Sequence, residues 1–319
     1  MLHFNPAEMN VPEVHRLLVG GVGPRPIALV STISKDGILN LAPYSFFNTF
    51  GANPPMVAFS PARRGSNGTL KDTYNNLIET GECVIQSVTY DIVSQVSVAS
   101  GEYSSDVNEF EKSGLTPIDS EVVKPKRVKE SPFQMECILK QMINLGDKNA
   151  SGNLALCEVV RFHVAEDVIV NGTIEPNLID LVARMSANYY CRASGEAIFQ
   201  LEQPNTKIGV GFDQIPEKIR NSKFLNGFEL GRLASIQKIP DNLQIENFNI
   251  SYREVSHDNY EETQSAFNRY LRNRELEKMI YFTLNSKNIN RDYFLMQSAK
   301  TAINLNQIET AWLLLQQIL

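Results

Sequence analysis

Two stretches of this chain carry the residue types from which a binding site could be built. Residues 61–73, PARRGSNGTLKDT, place three cations (Arg63, Arg64, Lys71), two glycines and several hydroxyls directly before a helical pattern at 74–80. Thr69 stands three residues ahead of Asp72, the spacing of a helix capping pair. Unpaired backbone N–H groups, a helix dipole and Lys71 would then meet at one point, which suits a phosphate monoester. A solvated basic loop has the same composition. The second stretch, APYSFFNTF at 42–50, crowds Tyr44, Phe46, Phe47 and Phe50 around Ser45, Asn48 and Thr49, just ahead of Pro54-Pro55. A pure core needs neither Ser45 nor Asn48, and a pure loop needs neither Phe46 nor Phe47.

Taken together, a phosphate cradle and a pocket for a large flat ring describe a nucleotide or a flavin mononucleotide. The lack of an obvious acid–base pair fits the flavin better, because a flavin brings its own hydride chemistry and the protein need only bind and orient it. Other chemistries find no support. Gly20-Gly21-Val22-Gly23 lacks the dinucleotide-loop spacing, and Pro24 and Pro26 follow where a helix should begin. There is no P-loop lysine and no G-x-S-x-G elbow. The four histidines (His3, His15, His163, His257) show no metal-ligand spacing, so no metal is expected. The four cysteines (Cys83, Cys137, Cys157, Cys191) form no C-x-x-C pair and lie in apolar runs, where a reduced, buried thiol is the ordinary reading.

The elements that must position these residues read as β-rich over the first two thirds. Residues 25–34 form an apolar run ending in the turn Lys35-Asp36-Gly37. A return strand follows at 38–50, interrupted by Pro43. Further strands are expected at 56–60, 82–89, 135–145 and 153–170, with short helices from about Thr69 and over 91–99. Many short strands without regular strand–helix alternation favour a closed antiparallel barrel over a doubly wound parallel sheet. The texture changes at Gln203-Pro204-Asn205. From about Glu262 the chain reads as helix, with Ile308, Trp312 and Leu315 on one stripe and Ala311, Leu314 and Ile318 beside it. The expectation is a barrel over 1–204 and a mostly helical extension over 205–319, the latter a small bundle or a dimer-packing arm.

At 319 residues with a hydrophobic fraction of 43% and a charged fraction of 21%, the chain has the composition of a globular protein. A net charge of −6 argues against nucleic acid as the main partner. No uninterrupted apolar run of about 18 residues predicts a membrane helix. No secretory pattern stands at the start, so a cytoplasmic location is expected.

The order of several motifs carries a resemblance. PRPIALVST, NLAPYSFFNTF, NPPMVAFSP, LKDTYNN, TGECVIQSV, VNEFEKSGLTP, PKRVKESPFQMEC and ARMSANYYCR, spread over roughly residues 10–203, resemble the flavin reductase-like family. Members bind FMN in a split β-barrel, and they include reductase components of two-component flavin monooxygenases. The resemblance implies a fold that is mainly β with α, a split antiparallel β-barrel of FMN-binding type followed here by the C-terminal α-helical extension. It also implies a homodimer with FMN near the subunit interface, NAD(P)H as co-substrate and a partner monooxygenase. By the same resemblance, Ser45, Phe46, Phe47 and Asn48 would line the flavin ring and ribityl chain, with Thr32 a further candidate. Ser60, Arg63, Lys71 and Thr73 would hold the phosphate, and Arg25 would touch the cofactor or brace its loop. Barrel core is the competing role for Phe46 and Phe47, and helix capping for Asp72. The implied activity is NAD(P)H-dependent flavin reduction, with hydride passing from the nicotinamide to flavin N5. The rivals are an FMN-binding redox or sensor protein with a helical interaction tail, and a pyridoxamine-phosphate-oxidase-like barrel.

Two departures from the family pattern bear on function. The late motif Arg-x-Gly-Gly-x-x-Tyr reads here Arg184-Met185-Ser186-Ala187-Asn188-Tyr189-Tyr190, so two glycines are replaced by residues with side chains that would narrow the site. The helical extension is not part of the basic family module, and closing the rim of the site is a role it could serve.

Overall fold

The structure is a computed structural model and describes residues 1–201, 207–253, 263–285 and 290–319. The barrel begins from its tightest turn. Gly37 supplies φ +85°, Ser34 N donates to the Ile38 carbonyl at 2.9 Å, and the chain reverses on itself. Strands β1 (Arg25–Pro26) and β2 (Ala28–Ile33) precede the turn, and β3 (Leu39–Tyr44) follows it with Ala28 opposite Tyr44. Pro43 does not break the return strand as expected. It lies inside β3 opposite Leu29, and β3 is the edge of its sheet, where a missing N–H can cost no ladder bond. The break falls instead at Ser45-Phe46, before β4 (Phe47–Ala52), and the Phe46 carbonyl accepts from Ser60 N at 2.9 Å, just past β5 (Pro55–Phe59).

The remaining principal strands are β6 (Glu82–Gln86), the short β7 (Pro117–Ile118) and β8 (Arg127–Val128), then β9 (Phe133–Asn144) and β10 (Asn153–Val164). Seven strands pair antiparallel in the order β3-β2-β6-β9-β10-β5-β4. The long β9–β10 ladder shifts register at Leu156/Cys157 and at Val159/Arg161, irregularities of the kind that bend and coil a sheet. After β11 (Ile169–Val170) and β12 (Thr173–Ile174), β13 (Val182–Arg184) and β14 (Tyr190–Arg192) join β1 in a separate small sheet. The alternation of β2 feeds two cores. Ala28 and Val30 pack with Phe59, Ile85 and Cys157, whereas Leu29 packs with Leu41, Val96 and Phe110. Burial on both faces is why 25–34 reads as an unbroken apolar run.

The helices of this unit are α1 (Val11–Gly21), α2 (Asp72–Thr80), α3 (Val93–Ala99), α4 (Glu109–Ser113) and α5 (Pro176–Ile179). Asn10 starts α1 with a capping box to Glu13. The expected pair of Thr69 with Asp72 does not form. Asp72 is already the first residue of α2, Lys71 is the cap without a side-chain bond, and Asp72 instead pairs with Arg64 at 3.3 Å. Cys83, Cys137 and Cys157 are buried free thiols, and Cys191 is half-buried. The hydrogen bond with Cys137, together with burial, holds the Cys83 thiol well above its ordinary value, which makes it inert.

The chain divides into two compact units, Met1–Gln200 and Leu201–Leu319. The expected boundary at 204/205, the Gln203-Pro204-Asn205 signal, Glu262 and His257 all lie outside the described residues. The second unit is helical well before residue 262. It contains α6 (Glu217–Arg220), α7 (Gly227–Ala234), α8 (Asn242–Arg253), α9 (Gln264–Asn273), α10 (Leu276–Asn285), α11 (Arg291–Asn304) and α12 (Ile308–Leu315). The early helices are short, and α7 opens on an Asn226–Glu229 capping box. The stripe on α12 finds its partners inside this unit. Trp312 is fully buried among Leu233, Leu295 and Ile303, and its indole N–H donates to the Leu233 carbonyl at 2.9 Å. A second cluster stacks Phe267, Phe282 and Phe294, with centroids 4.6 to 5.2 Å apart. Among the described residues no helix is long and apolar enough to cross a membrane.

Candidate functional site

The break between β3 and β4 leaves Ser45 and Phe46 outside any strand, at the wall of a cavity of about 720 Å³. Phe46 remains 42% exposed, with the His15 ring 6.5 Å away. The next wall is the loop after β5. Ser60 is 9% exposed, and its hydroxyl is buried without a hydrogen-bond partner. Arg63 donates through Nη1 to the Gly68 carbonyl at 3.1 Å, while its Nε is likewise buried and unpartnered. The loop itself is tightly drawn: Arg63 N donates to the Ser151 carbonyl, Arg64 N to the Thr69 carbonyl, and Arg64 Nη1 to the Leu70 carbonyl. Lys71, at the start of α2, lies 5.3 Å over the Tyr44 ring. Burial, and then the neighbouring Arg64, lower its pKa. Buried donors without partners carry a desolvation cost that a bound acceptor would offset. Ser60, Arg63 and Arg64 share this cavity with Lys71, which stands at the N-terminus of α2.

The other walls come from α1 and from the turn between β13 and β14. Arg25 is 6% exposed and ties these together: Nη1 donates to the carbonyls of Val19 (2.7 Å) and Val22 (2.5 Å), and Nη2 to that of Met185 (2.8 Å). Of the two alternatives for Arg25, the observed bonds are those of a brace, although the side chain also lines the cavity. Ser186 and Ala187, the residues standing in place of the two glycines, both line the cavity, and Ala187 adopts φ +48°.

Six of the ten expected site residues therefore meet in one cavity: Arg25, Ser45, Phe46, Ser60, Arg63 and Lys71. Four do not. Thr32 is fully buried and accepts from Asn40 (2.9 Å) and Asn76 (3.0 Å), and Thr73 accepts from the same Asn40 amide at 2.9 Å. This internal polar cluster satisfies both hydroxyls, and strand alternation turns Thr32 away from the cavity. Phe47 packs against the barrel core, so its competing core role is the observed one. Asn48 is exposed, and its side-chain oxygen accepts from Thr49 N at 2.8 Å. Arg64, read in the sequence as part of the cationic stretch but not assigned to the phosphate, also lines the cavity. Sequence reasoning missed His15 and Arg16 on α1, and Ser97 and Glu102 around α3, which no motif marks.

A seven-stranded antiparallel sheet packed on the core of Ala28, Phe59 and Ile85 thus stands with a cationic cavity that holds an exposed aromatic ring. Residues 21–178 match the model of the flavin reductase like domain. An uncharacterised protein of Aquifex aeolicus is 38% identical over 197 residues, covering 61% of this chain and 97% of that protein. Among solved structures, nitrilotriacetate monooxygenase component B from Bacillus cereus is 36% identical, covers 63% of this chain and 98% of its own, and superposes with a TM-score of 0.59. A split-barrel protein of Shewanella frigidimarina is 25% identical, covers 64% of this chain and 100% of its own, and has a TM-score of 0.55. The chain belongs to the flavin reductase-like family, and its barrel is a split barrel. These relatives are matched nearly end to end, so more than a third of this chain has no counterpart in them.

Proposed function

We propose that the barrel unit binds FMN and serves as an NAD(P)H-dependent flavin oxidoreductase. The observation that carries this reading is that Ser60, Arg63, Arg64 and Lys71 line the same cavity as Ser45 and Phe46, with Ser60 Oγ and Arg63 Nε buried and without hydrogen-bond partners. The residues fit the cofactor: Ser60, Arg63, Arg64 and Lys71 would hold its phosphate, and Ser45 and Phe46 would flank the ring. FMN, when bound, supplies the electron sink that takes a hydride, so the chain itself needs no general base. Arg25 keeps α1 and the 185–189 turn in place around the cofactor. Exposed Phe50 on β4 and Val160 and Phe162 on β10 favour a homodimer in which a second copy covers this apolar surface. The likeness to a monooxygenase component supports an oxygenase as the consumer of reduced flavin.

Lys71→Ala tests the phosphate assignment. FMN binding should weaken by about 1.5–3 kcal/mol, the scale of a charge-assisted hydrogen bond, while riboflavin binding stays unchanged. Equal losses for both ligands would assign Lys71 to the fold. The same protein is then assayed for oxidation of NADH and NADPH with FMN present. FMN binding without turnover would replace the enzyme with a flavin-holding redox or sensor protein.

A further inference from the structure

The cationic loop between β5 and α2 makes hydrogen bonds of two kinds. Its tip closes on itself: Arg64 N donates to the Thr69 carbonyl and Gly68 N to the Arg64 carbonyl, each at 2.9 Å, and Arg63 Nη1 donates to the Gly68 carbonyl at 3.1 Å. These bonds shape the tip without tying it to the sheet. The tie comes from the turn between β9 and β10, residues 145–152, and from the strand residues on either side of it.

Three asparagines of that hairpin end reach across. Asn153, the first residue of β10, is fully buried and donates through Nδ2 to the Pro61 carbonyl at 3.0 Å. Asn149, exposed in the middle of the turn, donates through Nδ2 to the Gly65 carbonyl at 3.2 Å. Asn144, the last residue of β9 and opposite Asn153 in the ladder, accepts from the Tyr74 hydroxyl of α2 at 3.1 Å. Between them, Arg63 N donates to the Ser151 carbonyl at 2.9 Å. The approach is close: a Cβ at Gly68 would stand 2.5 Å from Asn149 Oδ1, and one at Gly152 would stand 3.4 Å from Ser60 Oγ. The turn is itself fixed, since Leu145 N donates to the Gly152 carbonyl at 3.0 Å and Lys148 N to Ser151 Oγ at 3.2 Å.

Among the described residues, none of 144–153 lines the cavity, so these side chains can act on a ligand only through the loop. Holding the loop in this place has a cost, because Ser60 Oγ, Arg63 Nε and Asn153 Oδ1 are all buried without hydrogen-bond partners. A loop free to relax would turn such groups to water. A ligand that meets an already ordered loop loses no affinity to ordering it.

We propose that the β9–β10 turn is a clamp that orders the cationic loop before a ligand arrives, with Asn149 and Asn153 as positioning residues, and that the preference for a phosphorylated over an unphosphorylated flavin depends on this clamp. The inference rests on the phosphate reading of the loop. It adds that phosphate affinity is set in part by residues that never touch the ligand.

The test begins without ligand. Cleavage by trypsin after Arg64 requires the loop to open. In Asn149→Ala, an exposed substitution that spares the barrel, the fragment ending at Arg64 should appear about fivefold faster than in the parent, the scale of one lost hydrogen bond. Titrations followed by flavin fluorescence come next. Asn149→Ala should weaken FMN by about fivefold and leave riboflavin unchanged. Asn153→Ala should act in the same direction, and Asn149→Ala decides the matter should that buried variant fail to fold. An unchanged cleavage rate would overturn the clamp. Equal weakening of FMN and riboflavin would do so as well, because it marks a general loss of fold. Faster cleavage with unchanged FMN affinity would also overturn it, since the loop would then order at no cost to the ligand. Should the parent protein hold no FMN, the FMN reading fails separately and inorganic phosphate becomes the probe. Phosphate that slows cleavage of the parent but not of Asn149→Ala retains the clamp, and phosphate without effect on either removes it.

Discussion

Ala187 is the residue at which the departure from the family pattern has a measurable physical cost. It holds φ +48°, a left-handed conformation that is unfavourable for alanine by roughly 1–2 kcal/mol and open to glycine. Its carbonyl is needed by Arg184, and Met185 N and Tyr189 N close the turn on either side, so the conformation is imposed by the surrounding bonds. Ala187→Gly should therefore raise the thermal midpoint of the barrel unit. The gain is expected at up to about 1 kcal/mol, because glycine also loses more freedom on folding. A lower midpoint in a melting scan would mean that the Cβ packs usefully at the rim. At this scale the sequence was legible where chemistry is concentrated. Arg63, Lys71, Ser45 and Phe46, singled out by residue type and spacing, do line one cavity. The sequence was illegible where one residue type serves two roles: Thr32 and Thr73 have the hydroxyls of a ligand site but satisfy Asn40 in the interior.

Among the elements, β9 does more than carry the sheet. Glu136 in its middle has a fully buried side chain that accepts backbone N–H groups from Glu121 (2.8 Å), Val122 (2.6 Å) and Val123 (2.9 Å), and it meets His163 Nε2 of β10 at 2.7 Å. One carboxylate thus anchors the whole 121–123 loop to the barrel. Burial pushes its pKa up, but the amide donors and His163 outweigh burial and hold it below the ordinary 4.5. A depressed carboxyl contributes stability that is complete above the unfolded value and is lost as pH falls through the folded one. Glu136→Gln should then cost about 2–3 kcal/mol at neutral pH, and the gap to the parent protein should shrink below about pH 4.5. Urea unfolding of both proteins over a pH series checks this, and a gap that does not vary with pH would remove the carboxylate charge from the explanation. Glu136 could not be read from sequence, since a carboxylate in an apolar strand gains meaning only when the loop that it holds is seen. The strands themselves were legible from their apolar runs. The displaced break near Pro43 was not, because only the sheet order reveals that β3 is an edge.

The two units have separate cores, and the molecule carries a natural reporter for one of them. Trp312 is the single tryptophan of the chain, and it is fully buried in the helical unit with its N–H bonded to the Leu233 carbonyl. The apolar stripe on α12 was visible in the sequence, since Trp312, Leu315 and their neighbours recur at helical spacing. What covers it was not visible, because α6 and α7 are short and contribute only Ile219 from the one and Leu230 and Leu233 from the other. Isolated helices of this length are marginal in water, so the indole environment exists only while the bundle is packed. Tryptophan emission should therefore follow the unfolding of the helical unit alone, and circular dichroism in the far ultraviolet should follow both. A ligand stabilises only the unit whose native state it binds, by about 2.7 kcal/mol at a hundredfold excess over its dissociation constant. Saturating FMN should raise the midpoint of the dichroism transition that belongs to the barrel and leave the tryptophan midpoint where it was. The measurement is a pair of thermal scans with and without FMN, read by both signals. A tryptophan midpoint that rises together with the barrel's would show that the units unfold as one, and the helical extension would then have to be treated as part of the flavin-binding machine rather than as a unit with its own stability.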